Sequence, residues 1–209
     1  MLLWFNGPFG GGKTQTAYEL NRRLSGSVVC DPEEVGFGLH RMTPRALRGD
    51  FQDLAAWRAG VREVLDLALR KHDGPVIAPM TLINAGYFAE VVGRLREDGH
   101  EVRHFALLAE RDTVLRRLRE RGWGFGLKWE SFAVAKLDEC LDRLQAPEFA
   151  EHIRTDHMPV PGRRDAHRAV GWAVDRPEPR RAGAQAAAPL RRQPAARPLR
   201  LIGLPVSGG

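Results

Sequence analysis

The run Gly7-Pro8-Phe9-Gly10-Gly11-Gly12-Lys13-Thr14 sets glycine, four residues, glycine, lysine and a hydroxyl residue in order. This is the spacing of a phosphate-binding loop. Such a loop works by letting backbone N–H groups converge on an anion without obstruction by Cβ atoms. The N-terminus of the following helix adds its positive dipole end. A nucleoside triphosphate is the natural ligand, and ATP is expected with Mg²⁺. Lys13 would reach the β- and γ-phosphoryl oxygens and the Thr14 hydroxyl would ligate the metal. The competing reading is a glycine-rich strand-to-helix turn that binds nothing.

A loop of this kind must be held by a strand before it and a helix after it. Leu2–Phe5 is a short apolar run, and a helical pattern follows over Lys13–Leu24. Further buried strands are read at Ser27–Cys30, Pro75–Met80 and Val102–Ala109, with a weaker one at His152–Thr155. Helices are expected at Asp53–Lys71, Gly86–Glu97, Asp112–Arg121 and Ser131–Leu144. In the first of these, Leu54, Trp57, Val61, Val64, Leu65, Ala68 and Leu69 recur at steps of three and four and form one apolar stripe. Continuous apolar strands separated by helices define the α/β class: a three-layer, parallel five-stranded P-loop fold.

The 209 residues carry a formal charge of +6, but the excess is local. Residues 162–209 hold 10 Arg against 3 acidic residues, leaving 22 basic and 23 acidic side chains in residues 1–161. A near-neutral body lacks the footprint that duplex binding needs, so no specific nucleic-acid partner is expected. The Pro-, Gly- and Ala-rich tail cannot bury enough apolar area to offset chain ordering and is read as largely disordered. This divides the chain into a domain over 1–161 and a tail over 162–209, with weak peripheral membrane contact as the tail's most that charge alone would give. Cys30 and Cys140 form no disulfide or zinc pattern. No stretch approaches a membrane span or a signal peptide, and the expected location is the cytoplasm.

At this size the sequence resembles the P-loop kinase-like family that contains chloramphenicol phosphotransferases and zeta-toxin-type kinases, and most closely its tunicamycin resistance proteins. The resemblance rests on GPFGGGKT at 7–14, CDPEEVGFGLHRM at 30–42, ALLAERDTVLRRLRERG at 106–122 and TDHMPVP at 155–161. It implies a small-molecule phosphotransferase, with Mg²⁺-dependent phosphorylation or sequestration of tunicamycin. A kinase of another small metabolite or nucleoside, and a nucleotide-dependent binding protein without catalysis, are the alternatives.

The resemblance places a carboxylate, Asp31, at the end of the second strand, facing the γ-phosphate and acceptor. Asp31 would take the acceptor hydroxyl proton or approach Mg²⁺ through a water. Asp31-Pro32-Glu33-Glu34 is equally a helix start, with Asp as N-cap and Pro at N1. Arg117 and Arg121, four apart, match the family's lid arginines. They lead into Gly122-Trp123-Gly124, where Trp123 would stack on a base or cover an apolar substrate. The other reading of this helix is a solvated basic face paired with neighbouring acids.

The third strand ends in Pro79-Met80-Thr81 without the acidic residue of a standard Walker B sequence. Thr81 and Asn84 there either donate to the substrate or cap the next helix. Phe37, His40 and Arg41, in and after a flexible Gly36-Phe37-Gly38 segment, are expected to wall the acceptor pocket, while Trp57 is read as core. Thr155, with Asp156, is placed at the adenine edge.

Overall fold

The computed structural model describes residues 1–121 and 134–156, with side chains up to residue 120 in the first stretch. Five strands form one parallel sheet: β1 (Leu2–Asn6), β2 (Val28–Val29), β3 (Val76–Pro79), β4 (Val102–Leu108) and β5 (His152–Arg154), in the order β2-β3-β1-β4-β5. In register, Trp4 lies beside Ala78 and His104, and Phe5 beside Pro79 and Phe105. Both faces of β1 are buried, which explains its unbroken apolar run.

Side chains alternate across the sheet with the two-residue period of a strand. Leu2, Trp4, Ala78 and Ala106 face one layer, which contains α3 (Ala55–Lys71). Leu3, Phe5, Ile77, Phe105 and Leu107 face the other, where Ala17 and Leu20 of α1 (Lys13–Arg23) close the core. Of the expected stripe on α3, Trp57, Val61 and Leu65 are buried, while Val64 is half exposed. An amphipathic stripe is wider than its contact line with the sheet, so its edge residues meet water.

One segment departs from expectation. Gly36-Phe37-Gly38 is not a flexible loop but lies inside α2 (Pro32–Met42). Asp31 caps this helix by accepting the Glu33 N–H at 2.9 Å. A Cβ on Gly36 would stand 2.6–2.7 Å from the Phe51 ring, so glycine marks a close approach here rather than a break. Two short 3₁₀ turns, Arg45–Leu47 and Phe51–Asp53, follow and carry Phe51 back against Phe37, His40 and Trp57.

After β3, α4 (Ala85–Phe88) passes through a π-turn at Ala89–Gly93 into α5 (Arg94–Glu97). The chain continues through α6 (Arg111–Arg121) and α7 (Leu137–Arg143). Val114 and Leu118 of α6 pack with Leu137 of α7 and with Phe9 of the glycine-rich loop. The arrangement sets the loop at the carboxyl ends of the strands, where open α/β sheets bind their ligands.

Candidate active site

Asn6, the last residue of β1, clamps the start of the loop. Its Oδ1 accepts the N–H groups of Gly7 and Leu82, and its Nδ2 donates to the Leu82 carbonyl at 2.7 Å. Thr81 adds a second tie, donating from Oγ1 to the Gly7 carbonyl at 2.8 Å. Gly7 has φ +151°, and a Cβ there would stand 2.8 Å from the Leu107 carbonyl oxygen. Gly12, at φ +89°, turns the chain into α1. That helix starts with no side-chain cap and no acidic residue in its first turn. An uncapped helix start rimmed by glycines and a lysine suits an anion rather than an internal partner.

Lys13 is buried, with Nζ donating to the Pro8 carbonyl at 3.1 Å and lying 5.5 Å from the centre of the Phe9 ring. Thr14 is exposed on the first turn of α1. Gly7, Pro8, Phe9, Gly10, Gly11 and Gly12 form the turn between β1 and α1, and Lys13 and Thr14 are the first two residues of α1. Their donor set fits a polyphosphate with a Mg²⁺ ion at the Thr14 hydroxyl.

Next to the loop lies a cavity of about 770 Å³. One wall comes from α2 and the turn after it, with Glu33, Phe37, His40 and Phe51. Thr81, Asn84 and Tyr87 line the side towards α4. Lys136, Glu139, Cys140 and Arg143 come from α7 and its start, and Phe9 connects the cavity to the phosphate loop. The wall is held by its own hydrogen bonds: His40 Nε2 to the Gly49 carbonyl at 3.1 Å, Gln52 Nε2 to the Thr81 carbonyl at 3.0 Å, and Tyr87 Oη to Asp53 at 3.0 Å.

Phe37, His40, Thr81 and Asn84 therefore meet at the cavity as the sequence suggests. Asn84 also has its capping role, since Oδ1 accepts the Tyr87 N–H at 3.1 Å. Arg41 does not join them. Successive helical residues turn by about 100°, so Arg41 is carried off the wall and is exposed. Asp31 is half-buried just after β2 but does not line the cavity, because its carboxylate is turned to the Glu33 amide. Four carboxylates line the wall. Asp50 accepts the Gln52 N–H, Asp53 accepts from Tyr87 and Glu139 pairs with Lys136. This leaves Glu33, read from the sequence only as part of the helix start, as the one without a hydrogen bond or ion pair among the described residues.

Burial pushes both carboxyls above the usual range. The capping amide opposes this in Asp31, and Lys13 opposes it in Glu33. Cys140, also on the wall, is buried, and its thiol is pushed up to about 11 by that burial, so it remains protonated.

On α6, which packs against the loop through Val114 and Leu118, Arg117 is buried. Nη2 donates to the Thr155 carbonyl at 2.5 Å and Nη1 to the Thr155 hydroxyl at 3.1 Å. Asp156 accepts the Glu110 N–H at 2.5 Å. The two predicted residues Arg117 and Thr155 are brought together, but as a brace between α6 and β5. Arg121 ends α6, and its side chain, together with Trp123 and the tail after 156, lies outside the described residues. No helix among the described residues is long and apolar enough to cross a membrane.

A family model described as an AAA domain matches residues 2–149. Among solved structures, a tunicamycin resistance protein from Deinococcus radiodurans is 30% identical and superposes with a TM-score of 0.67, covering 83% of this chain and 95% of that one. A sugar kinase from Janibacter is 17% identical, with a TM-score of 0.59 over 83% and 94% of the two chains. A gluconokinase from Sinorhizobium meliloti is 16% identical, with a TM-score of 0.53 over 76% and 83%. The two kinases are similar in fold. No curated protein sequence matches significantly.

A parallel sheet in this order, with the glycine-rich loop leading from β1 into α1, defines a P-loop protein of the kinase-like class. Within that class, the chain belongs to the family of tunicamycin resistance proteins.

Proposed function

We propose that this protein binds ATP with Mg²⁺ and transfers the γ-phosphoryl group to a hydroxyl of tunicamycin. The observation that carries this reading is the roomy, partly aromatic cavity that opens directly onto the phosphate loop through Phe9. Tunicamycin combines uracil, sugar hydroxyls and an acyl chain, so it calls for both polar and apolar walls. The cavity offers Phe37, Phe51, Met80 and Ile83 beside Glu33, His40 and Asn84.

With nucleotide bound, Lys13 exchanges the Pro8 carbonyl for phosphoryl oxygens and offsets the charge that develops as the γ-group departs. Mg²⁺ at the Thr14 hydroxyl would add Lewis-acid neutralisation of the phosphates. Phe37 and His40 orient the acceptor. Asn84 and Thr81 fix that side of the cavity relative to the loop. Thr155, fully buried and bonded to Arg117 and Leu108, supports that end of the sheet from beneath rather than meeting the nucleotide base.

The test is transfer of label from γ-labelled ATP to tunicamycin, run beside gluconate and a panel of nucleosides. Labelled tunicamycin is the expected product. Label on another acceptor alone would reassign the substrate. Tight, nucleotide-dependent binding of tunicamycin without transfer would identify a sequestering protein.

A further inference from the structure

Two carboxylates stand near Lys13 at the start of α2, and they are not equivalent. Asp31 accepts the Glu33 N–H at 2.9 Å and does not line the cavity. Glu33 lines the cavity on the same helical face as Phe37 and His40, four and seven residues on. Among the described residues its carboxylate takes part in no hydrogen bond or ion pair. A half-buried carboxylate without a partner is costly, and such groups collect where a ligand completes the set. Lys13 opposes the burial of the Glu33 carboxyl, whereas in Asp31 the capping amide is the chief opposing influence. Phe9 of the loop lines the same cavity, so an acceptor seated there lies between Glu33 and the phosphate cradle.

We infer that Glu33, rather than Asp31, is the carboxylate that receives the proton of the acceptor hydroxyl. The inference rests on the phosphotransferase reading above. In the step, the acceptor O–H proton passes to the Glu33 carboxylate as the acceptor oxygen forms its bond to the γ-phosphorus. The bond from that phosphorus to the β–γ bridging oxygen breaks, and the nucleoside diphosphate leaves with the electron pair. Asp31 holds the first turn of α2, so that Glu33 and Phe37 face the cavity.

The deciding experiment compares Glu33→Gln with Asp31→Asn and with Glu34→Gln, which changes an exposed neighbour outside the cavity. Label transfer to tunicamycin and binding of Mg-ATP are measured on each full-length protein. Glu33→Gln should lower kcat for transfer by about 10²–10⁴-fold, the range of a lost general base, with nucleotide affinity unchanged. Glu34→Gln should behave as the parent. Loss of transfer in Asp31→Asn with none in Glu33→Gln would give the proton to Asp31 and overturn the assignment.

A second measurement does not depend on turnover. Tunicamycin added to protein loaded with a non-hydrolysable Mg-ATP analogue should shift the ¹³C resonance of the Glu33 carboxyl. If the parent protein transfers no label yet this resonance moves, the phosphotransferase reading falls and Glu33 stands as the acceptor's hydrogen-bond partner. A resonance that does not respond overturns the Glu33 assignment whatever the transfer assay gives.

Discussion

The guanidinium of Arg117 bridges α6 to β5 by donating to both the carbonyl and the hydroxyl of Thr155, at 2.5 and 3.1 Å. The Thr155 hydroxyl in turn donates to the Leu108 carbonyl at 3.1 Å, so one arginine fastens the ends of two neighbouring strands. Hydrogen bonds from a charged donor contribute about 1.5–3 kcal/mol, so Arg117→Ala should lower the melting temperature by roughly 3–12 °C at ~2–4 °C per kcal/mol. Arg117→Lys, which has no fork to reach both acceptors, should recover only part of this. Thermal unfolding without nucleotide checks it. An arginine that acted only on a transferring phosphoryl group would leave the transition unmoved.

Much of the molecule is legible from residue pattern because its physics is local. The glycine-rich loop, the buried strands and the Asp31 cap each depend on a few adjacent residues, and all appear close to where spacing puts them. The weak strand at His152–Thr155 also exists, although its alternation covers only three residues. What escapes the pattern is set by distant contact. Glycines in α2 read as flexible, yet Gly36 is required by Phe51, fifteen positions on. Asn6 looks like the end of a strand, and nothing adjacent to it announces its three bonds to Gly7 and Leu82. Glu33 and Asp31 carry the same chemistry in sequence, and only the direction of the first turn of α2 separates a cap from a cavity wall.

His104 makes stability depend on pH. Its ring is buried against Phe88, with centroids 4.8 Å apart, and Nδ1 faces the Ala150 carbonyl at 3.1 Å. Burial lowers its pKa to about 4, although the Ala150 carbonyl opposes the shift. The unfolded chain takes up a proton near the ordinary value of about 6.5, whereas the folded one resists until about 4. Protonation therefore favours unfolding as pH falls through that window, by on the order of 3 kcal/mol at its lower end. Above pH 7 the contribution is constant. Urea midpoints at pH 7.5 and 4.5 should differ less in His104→Phe than in the parent, and equal differences would refute this account.

Lys13 carries the loop's charge. Removing it leaves the glycine cradle but takes away the cation that phosphoryl oxygens would meet. Since bonds to charged groups are worth about 1.5–3 kcal/mol, Lys13→Ala should weaken Mg-ATP binding by at least about tenfold in calorimetry. Arginine should not restore it, because a planar fork replaces a compact ammonium. Unchanged heats of binding in the alanine variant would remove the basis for a phosphate site.

Gly36 and Gly38 sit two residues apart in the same helix and should respond oppositely to alanine. A Cβ on Gly38 meets nothing within 4 Å, so Gly38→Ala should gain up to about 1 kcal/mol of helix propensity. At Gly36 the same gain competes with a Cβ placed 2.6–2.7 Å from the Phe51 ring. Overpacking costs about 1–3 kcal/mol and should win. Gly36→Ala should melt earlier and, by displacing Phe51, weaken acceptor binding. Matching shifts in the two variants would mean that Phe51 does not control that wall.

Thr81 connects the acceptor wall to the phosphate loop. Its carbonyl accepts from Gln52, which belongs to the turn that carries Phe51, while its hydroxyl holds the Gly7 carbonyl. Thr81→Val keeps the shape and the first bond but leaves the Gly7 carbonyl without this donor in a dry site. The cost should be about 1–3 kcal/mol of stability. Because Gly7 begins the cradle, nucleotide affinity should fall along with the melting temperature. Thr81→Ser, which keeps the hydroxyl, should restore both. If valine lowers stability while Mg-ATP binding stays at the parental value, Gly7 holds its conformation through Asn6 alone and Thr81 serves packing. The two ties act on different atoms, Asn6 on the Gly7 N–H and Thr81 on its carbonyl. Neither bond can substitute for the other, so the joint loss is the expected result.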